Sequence, residues 1–272
     1  MRLPSAGVRP IPDAGNIYRY ESVGRFEQNQ VTVALRIDGL SKARLTANYT
    51  LNFARSNTAG ANSFPSNSFD IDQDYGRAAY DVRHQFNFGG TIDLPLGAYV
   101  NPFFILSSGQ PYDITVGRDL NGDSIFNDRP AFATDLSRPS VAATRFGALD
   151  TSSLPGQRVI PPNLATGPAR LTLNLRLVKA FSLGNKEIKP ASTGGSVDAG
   201  KPKRSLYKDA WQPMYAIRFE LIADNILNRT NLATPVGNLS SPFFDKSVAL
   251  AGSPFSTAAS RRQIIFRAVF RF

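Results

Sequence analysis

Residues 260–272 read SRRQIIFRAVFRF, and their alternation decides how the chain is read. Successive side chains of a strand point to opposite faces. Ile264, Phe266, Ala268, Phe270 and Phe272 therefore share one face, and Ile265, Arg267, Val269 and Arg271 the other. The first face is wholly apolar and the second is mixed and cationic. In a soluble sandwich the apolar face turns inward. In a transmembrane barrel it turns outward to lipid, and Arg267 and Arg271 face a wet lumen. This strand alone is compatible with both.

The same alternation recurs upstream. Val31, Val33, Leu35 and Ile37 alternate with Thr32, Ala34 and Arg36 in residues 28–37, and Asp38-Gly39 follows as a turn signal. Residues 43–55 set Leu45, Ala47, Tyr49, Leu51 and Phe53 against Arg44, Thr46, Asn48, Thr50 and Asn52. Residues 81–94 repeat the pattern, a turn over residues 95–98 follows, and residues 99–116 return less regularly, with Pro102 pointing to a strand end or bulge. Leu171, Leu173, Leu175 and Leu177 alternate with Arg170, Thr172, Asn174 and Arg176. Tyr215, Ile217, Phe219, Leu221 and Ala223 oppose Arg218, Glu220, Ile222 and Asp224. No segment has a convincing helical period, so the chain reads as all-β with seven strands. Residues 16–24 supply a candidate eighth.

The connections separate the two architectures. Polar or irregular loops are expected at about 56–80, 117–166 and 231–259, a basic linker at 183–212, and an irregular N-terminal segment at 1–15. Apart from the linker, short turns fall at one end of the strands and long loops at the other, as in an outer-membrane barrel. Five strands carry an apolar face on which His84 is the only ionisable side chain expected. Their other faces are polar, which a pore tolerates and a soluble barrel core does not. The expected fold is an antiparallel transmembrane β-barrel segment of seven to eight strands (residues 16–272), an incomplete part of a larger barrel. With an odd count and a periplasmic C-terminus, a further strand is expected before the first. Residues 44, 48, 170, 174, 176, 218, 220, 267 and 271 (Arg44, Asn48, Arg170, Asn174, Arg176, Arg218, Glu220, Arg267 and Arg271) are expected to face the lumen.

Composition narrows the chemistry. There is no cysteine among the 272 residues, which excludes disulfides, Cys-ligated zinc and a thiol nucleophile. The net charge of +10 suits anionic partners, but the cations are dispersed apart from Lys201–Lys208, so no nucleic-acid surface is expected. That run suits headgroup phosphates or a periplasmic partner, or is a solvated linker. No apolar run reaches the roughly 18 residues of a transmembrane helix, and the first residues lack the apolar core of a signal peptide. Export would thus place the start of the reading frame upstream.

Several blocks resemble a known family: RHQFNFGGTIDLP (83–95), SSGQPYDITVGRDLNGDSIFNDRPAF (107–132), LTLNLRLVKAFSLG (171–184), ADNILNRTN (223–231), PVGNLSSPFF (235–244) and the terminal SRRQIIFRAVFRF. Together they resemble the C-terminal part of TonB-dependent outer-membrane receptors, in the group with an N-terminal carboxypeptidase-regulatory-like domain. The terminal strand, ending in Phe272, resembles the signal read by the barrel-assembly machinery. The resemblance implies a large plugged barrel in the bacterial outer membrane that takes up siderophores, glycans or other bulky ligands. The regulatory domain, the plug and the TonB-contacting segment have no counterpart here, so transport by this chain alone is not expected and TonB would engage only through other segments.

The individual candidates are weaker. Asp119, Asn121, Asp123, Asn127 and Asp128 place oxygens at alternating positions that suit a calcium ion, but Ser124 stands where an EF-hand loop has Gly and no Glu closes it. The competing reading is an Asx-rich external turn. Asp70, Asp72 and Asp74 read as a solvated acidic loop. His84, alone in the chain, supports neither a His-based metal site nor a catalytic triad, and no enzymatic motif is present. Tyr18, Tyr20, Tyr49, Tyr99, Tyr215, Phe270 and Phe272 suit aromatic girdles at a membrane interface. Two alternatives remain open: a self-contained eight-stranded barrel with a structural or adhesive role, and a soluble β-sandwich binding module. Leu175→Arg is expected to be costly in a barrel, and Arg176→Leu mild.

Overall fold

A computed structural model describes residues 17–68, 70–187, 211–252 and 261–271. In chain order the strands are β1 (Phe26–Leu40), β2 (Ala43–Ser56), β3 (Gly76–Arg77), β4 (His84–Asp93), β5 (Ala98–Ser107), β6 (Pro111–Tyr112), β7 (Ala131–Phe132), β8 (Val141–Thr144), β9 (Gly147–Asp150), β10 (Ala165–Thr166), β11 (Arg170–Glu187), β12 (Trp211–Asp224) and β13 (Gln263–Arg271). Among the described residues there is no α-helix, only 3-10 turns at Ile71–Asp74 and Pro95–Gly97.

The main sheet runs β1-β2-β4-β5-β11-β12-β13, with β3 added to β2, and every pairing in it is antiparallel. The sheet is open. β1 and β13 are its edges, and six antiparallel steps make them run in the same direction. The seven long strands match those expected from the alternation. Of the N-terminal candidate at residues 16–24, the described residues 17–24 form no strand.

The register carries the apolar positions of one strand onto those of the next. Val33 opposes Tyr49, Tyr49 opposes Phe86, Phe86 opposes Leu106, and Leu106 opposes Leu171. Lower down, Val100 opposes Leu177, Leu177 opposes Leu221, and Leu221 opposes Phe266. One face is thus apolar across all seven strands, and a slip of one residue anywhere would break it. His84 is not the only ionisable group on this face. Lys179, opposite Ala98 and Phe219, lies on it as well. The two mark the limits of the apolar band: His84 opposite Leu51 at one end, Lys179 beside the β4–β5 turn at the other. Between them β11 presents Leu171, Leu173, Leu175 and Leu177. A tilted strand of about 9–11 residues crosses a bilayer, and β4, β5 and β13 have 10, 10 and 9 residues.

Local details depart from the expectations in instructive ways. Asp38-Gly39 is not the turn. The strand continues to Leu40, the turn residues are Ser41 and Lys42, and the register shifts between Ile37 and Leu40. A glycine suits such a bulge as well as a turn. Pro102 lies inside β5, and the β4–β5 ladder has no paired residues between Gly89↔Phe103 and Ile92↔Val100. Proline lacks the amide hydrogen the ladder needs. Opposite it, a Cβ on Gly90 would stand 2.2 Å from the Arg44 carbonyl oxygen, so β2 and β4 approach there as only glycine permits. The ends of the expected 183–212 linker are strand: β11 reaches Glu187, and Leu183 pairs with Tyr215. Lys201–Lys208 lie outside the described residues.

The short turns β1–β2 and β4–β5 lie at one end of the sheet. The connections 57–83, 108–169 and 225–262 lie at the other, and where described they are folded together. Residues 117–166 are not the irregular insertion their composition suggests. They hold the three-stranded sheet β7-β9-β8, and β10 pairs with β6. Tyr112, Ile114, Leu149, Ile160 and Ala165 form a core there, against which Phe132, Phe146, Leu164, Leu239 and Phe244 pack. Strand β5 ends at Ser107, short of the expected 116, because residues 108–116 turn into this assembly.

Candidate functional site

The polar face of the sheet collects the residues able to meet a solute. Parity and register put Arg44, Asn48, Arg170, Asn174, Arg176, Arg218, Glu220, Arg267 and Arg271 on it together. Their environments differ. Arg44 and Asn48 are exposed. Arg170 reaches the rim, where its Nη2 donates to Gln110 Oε1 at 3.1 Å. Asn174 is structural: its Oδ1 accepts the Asn225 amide at 2.9 Å. Arg271 opposes Ala216 near the short-turn end.

The strongest feature lies where β11, β12 and β13 adjoin. Glu220 is 0% exposed. Its Oε1 accepts from Arg176 Nη2 at 2.7 Å and pairs with Arg218 Nε at 2.9 Å, and Arg267 Nη1 stands 3.5 Å from its Oε2. Glu220 and Arg267 are directly opposed across β12 and β13, and Arg176 is reached diagonally from β11. Three guanidiniums around one carboxylate leave a local charge of +2. Spacing in the sequence separates Arg176 from Glu220 by 44 residues, so only the strand register brings them together. This also changes the expectation for Arg176→Leu, since Arg176 is a partner of a fully buried carboxylate.

The apolar face carries the terminal motif. Ile264, Phe266, Ala268 and Phe270 oppose Ala223, Leu221, Phe219 and Ile217. Phe266 stacks on Phe219 at 5.8 Å, and Phe270 on Tyr215 at 6.0 Å. Phe272 lies outside the described residues. The Tyr49 hydroxyl and His84 Nδ1 are 2.8 Å apart at the loop-side edge of the band. Tyr18 and Tyr20 are exposed outside any strand, and Tyr99, near a strand end, lies on the polar face opposite Val178.

In the loop assembly the expected calcium ligands hold one another and their neighbours. Asp119 accepts the amides of Gly122 (2.7 Å) and Ser124 (2.8 Å), and Asp128 accepts that of Leu120 at 2.6 Å. Asn121 Nδ2 donates to the Ser66 carbonyl, and Asn127 Nδ2 to that of Phe64. Among the described residues no three His, Asp or Glu side chains are grouped to hold a metal ion. The geometry is that of an Asx-rich turn tied to the 57–83 loop. Asp70 and Asp72 are exposed as expected, but Asp74 is not solvated. It is buried, accepts from Ser66 Oγ at 2.5 Å, and pairs with Arg129 at 2.7 Å.

Two further ion clusters have no signature in the sequence. Asp81, fully buried, joins Arg77 (2.8 Å) and Arg83 (2.7 Å) and accepts the Ala54 amide. Asp245 accepts from the Tyr112 hydroxyl at 2.6 Å and pairs with Arg145 at 2.6 Å. The Arg145 guanidinium holds the Asp245 carboxyl below the usual range. Burial, and then the bond to Asp245, push the Tyr112 phenol up to about 12.

An open sheet with one continuous apolar face and one polar face is the architecture of a membrane barrel wall. A family model described as "Outer membrane beta barrel domain" matches residues 3–190, more than half of the chain. The chain belongs to that family. It is an outer-membrane β-barrel domain of the bacterial outer membrane, all-β and antiparallel, with the barrel not closed by these strands alone. No curated protein and no solved structure matches it. The match ends within the β11–β12 hairpin, and β12 and β13 continue the same sheet in the same alternation.

Proposed function

We propose that this outer-membrane domain is the C-terminal wall of a TonB-dependent receptor for a bulky ligand such as a siderophore or glycan. The apolar face meets lipid and the polar face lines the water-filled interior. The loop assembly lies outside the cell and contributes to ligand capture. These residues do no chemistry, and the plug and the contact with TonB are supplied by other segments.

The observation that carries this reading is the unclosed wall of seven strands. Because β1 and β13 run in the same direction, antiparallel closure needs an odd number of further strands between them. Two copies in one membrane orientation would meet β13 against β1 in parallel. The self-contained eight-stranded alternative needed residues 16–24 as its closing strand, and residues 17–25 lie outside the sheet. The sequence blocks that resemble TonB-dependent receptors run through β4, β11 and β13 and the folded loops, so wall and loops point to the same family.

Two measurements test this. Reading the DNA upstream of Met1 should find an in-frame plug and further alternating strands. Folded into detergent micelles, the chain should show ordered strands but no closed, heat-modifiable barrel monomer, because two strand edges stay unpaired. A heat-modifiable monomer from a frame with its own start would establish the self-contained barrel instead.

A further inference from the structure

We infer that Arg176, Arg218 and Arg267, grouped on Glu220, form a subsite for an oxyanion, a phosphate, sulfate or carboxylate group of a solute. This deepens the proposed function and rests on its reading of the polar face as a wet wall. A single bidentate guanidinium already pairs both oxygens of a carboxylate and balances its charge. Glu220 has three within 3.5 Å, from three different strands. Glu220 itself is fully buried beneath them, while the arginine side chains remain 42%, 47% and 56% exposed. Each guanidinium offers five donors in a planar fork. The partly exposed side chains leave guanidinium nitrogens for a further anion, beside an Arg176 Nε that is buried without a hydrogen-bond partner.

Among the described residues, the carboxylates nearest to the cluster on this face do not neutralise the excess. Asp93 shares a cross-strand row with Tyr99, Val178, Glu220 and Arg267, but stands three strands from Glu220, about 14 Å at the usual strand spacing. Asp224 is four residues along β12 toward the loops, about 13 Å away. Glu220 acts as a template: it aligns three guanidiniums, lowers their mutual repulsion, and leaves a site of net charge +2. Arginine forks match the geometry of phosphate, sulfate and carboxylate. Lipid headgroups do not reach this face, so the ligand is a solute of the interior.

The test titrates the full chain, folded in detergent micelles, with inorganic phosphate at constant ionic strength set by chloride. Saturable binding is expected. Arg218→Gln and Arg267→Gln should each weaken it by about tenfold, the worth of one charge-assisted hydrogen bond. Glu220→Gln should tighten it, because the competing anion is gone. A purely structural cluster predicts the reverse, with no phosphate binding and the arginine variants changing only thermal stability, and that result would overturn the inference. Should Glu220→Gln fail to fold, Arg267→Gln still decides, since Arg267 lies on the edge strand and makes the longest of the three contacts. The wall reading is checked separately. The chain has no cysteine, so Asn48→Cys and Ala47→Cys place single thiols on the polar and apolar faces. A water-soluble maleimide that labels the first and spares the second upholds the wall, and absent phosphate binding then sinks the subsite alone. If Asn48→Cys is the protected thiol, the wall reading itself fails and takes the subsite with it.

Discussion

The loop assembly and the main sheet use the same apolar residues against opposite surroundings. Ile114, Val116 and Leu149 in the loops are 0% exposed, and Ile160 is 1% exposed. Val31, Val33 and Leu35 in β1 are 61%, 60% and 57% exposed, and Phe266 in β13 is 66% exposed. The loops fold as a small water-soluble protein does, by removing apolar surface from water. The sheet does not: its residues are ordered by backbone ladders and by cross-strand pairs, and its apolar surface is left for lipid. The two regions should therefore answer differently to the same kind of change.

The largest effect is expected in the loop core. Leu149→Ala removes a fully buried side chain and should cost about 2–5 kcal/mol. Hydrogen exchange should show the loss in the amides of residues 131–160 while β4 and β11 keep their protection. If the sheet amides lose protection to the same extent, the two regions are one cooperative unit and do not differ in what holds them.

In the sheet, Leu175→Arg should cost about 2–4 kcal/mol when the domain is folded in lipid. Leu175 lies midway between Leu171 and Lys179, the center of the apolar band. Arg176→Leu, one residue away on the other face, should cost less, because Glu220 keeps Arg218 and Arg267. Unfolding free energies of both variants in the same vesicles give the comparison, and equal costs would mean that the faces are not differently solvated. Smaller still, about 1–3 kcal/mol for an overpacked site, is Gly90→Ala. Its Cβ would meet the Arg44 carbonyl oxygen and spread β2 from β4. Exchange of the β2–β4 amides should quicken without change in the loop core.

The sheet was legible because a transmembrane strand writes both faces into its own residues. The period-two pattern of 171–177 needs no knowledge of any other segment, and neighbouring strands then register apolar on apolar. The loop core was not legible, because its contacts are far apart in sequence and have no period. Tyr112 and Asp245, whose bond is 2.6 Å, are separated by 133 residues. Residues 117–166 look irregular because their strands are only two to four residues long. The polar face fell between these cases. Alternation assigned Arg176, Arg218, Glu220 and Arg267 to one side, but their convergence on Glu220 depends on registers that no single strand contains. Lys179 is the opposite case: it keeps the parity of Leu171, Leu173, Leu175 and Leu177, and a single charge after a regular apolar run reads as the end of the strand and not as part of its face.

The smallest expected effect is on pH, and it isolates the loops. Asp245 has its pKa held down by the Arg145 guanidinium. Its contribution to stability is therefore present above the unfolded value, near 3.9, and is lost as pH falls through the lower folded value. Tyr112 behaves in the opposite sense. With a phenol raised to about 12, it contributes fully below its unfolded value, near 10, and loses that contribution as pH rises through the folded one. One cluster thus sets both an acid limb and an alkaline limb for the loop assembly. Asp245→Asn should flatten the acid limb and Tyr112→Phe the alkaline limb, read by exchange of the residue 112–116 and 236–246 amides across pH. The amides of β11 should follow neither variant, because Tyr112, Arg145 and Asp245 pair with one another within the loops. If β11 responds with the loops, the anchoring of the assembly on the wall, through contacts such as Asn231 with the Leu171 backbone, is tight enough to make the two regions titrate as one.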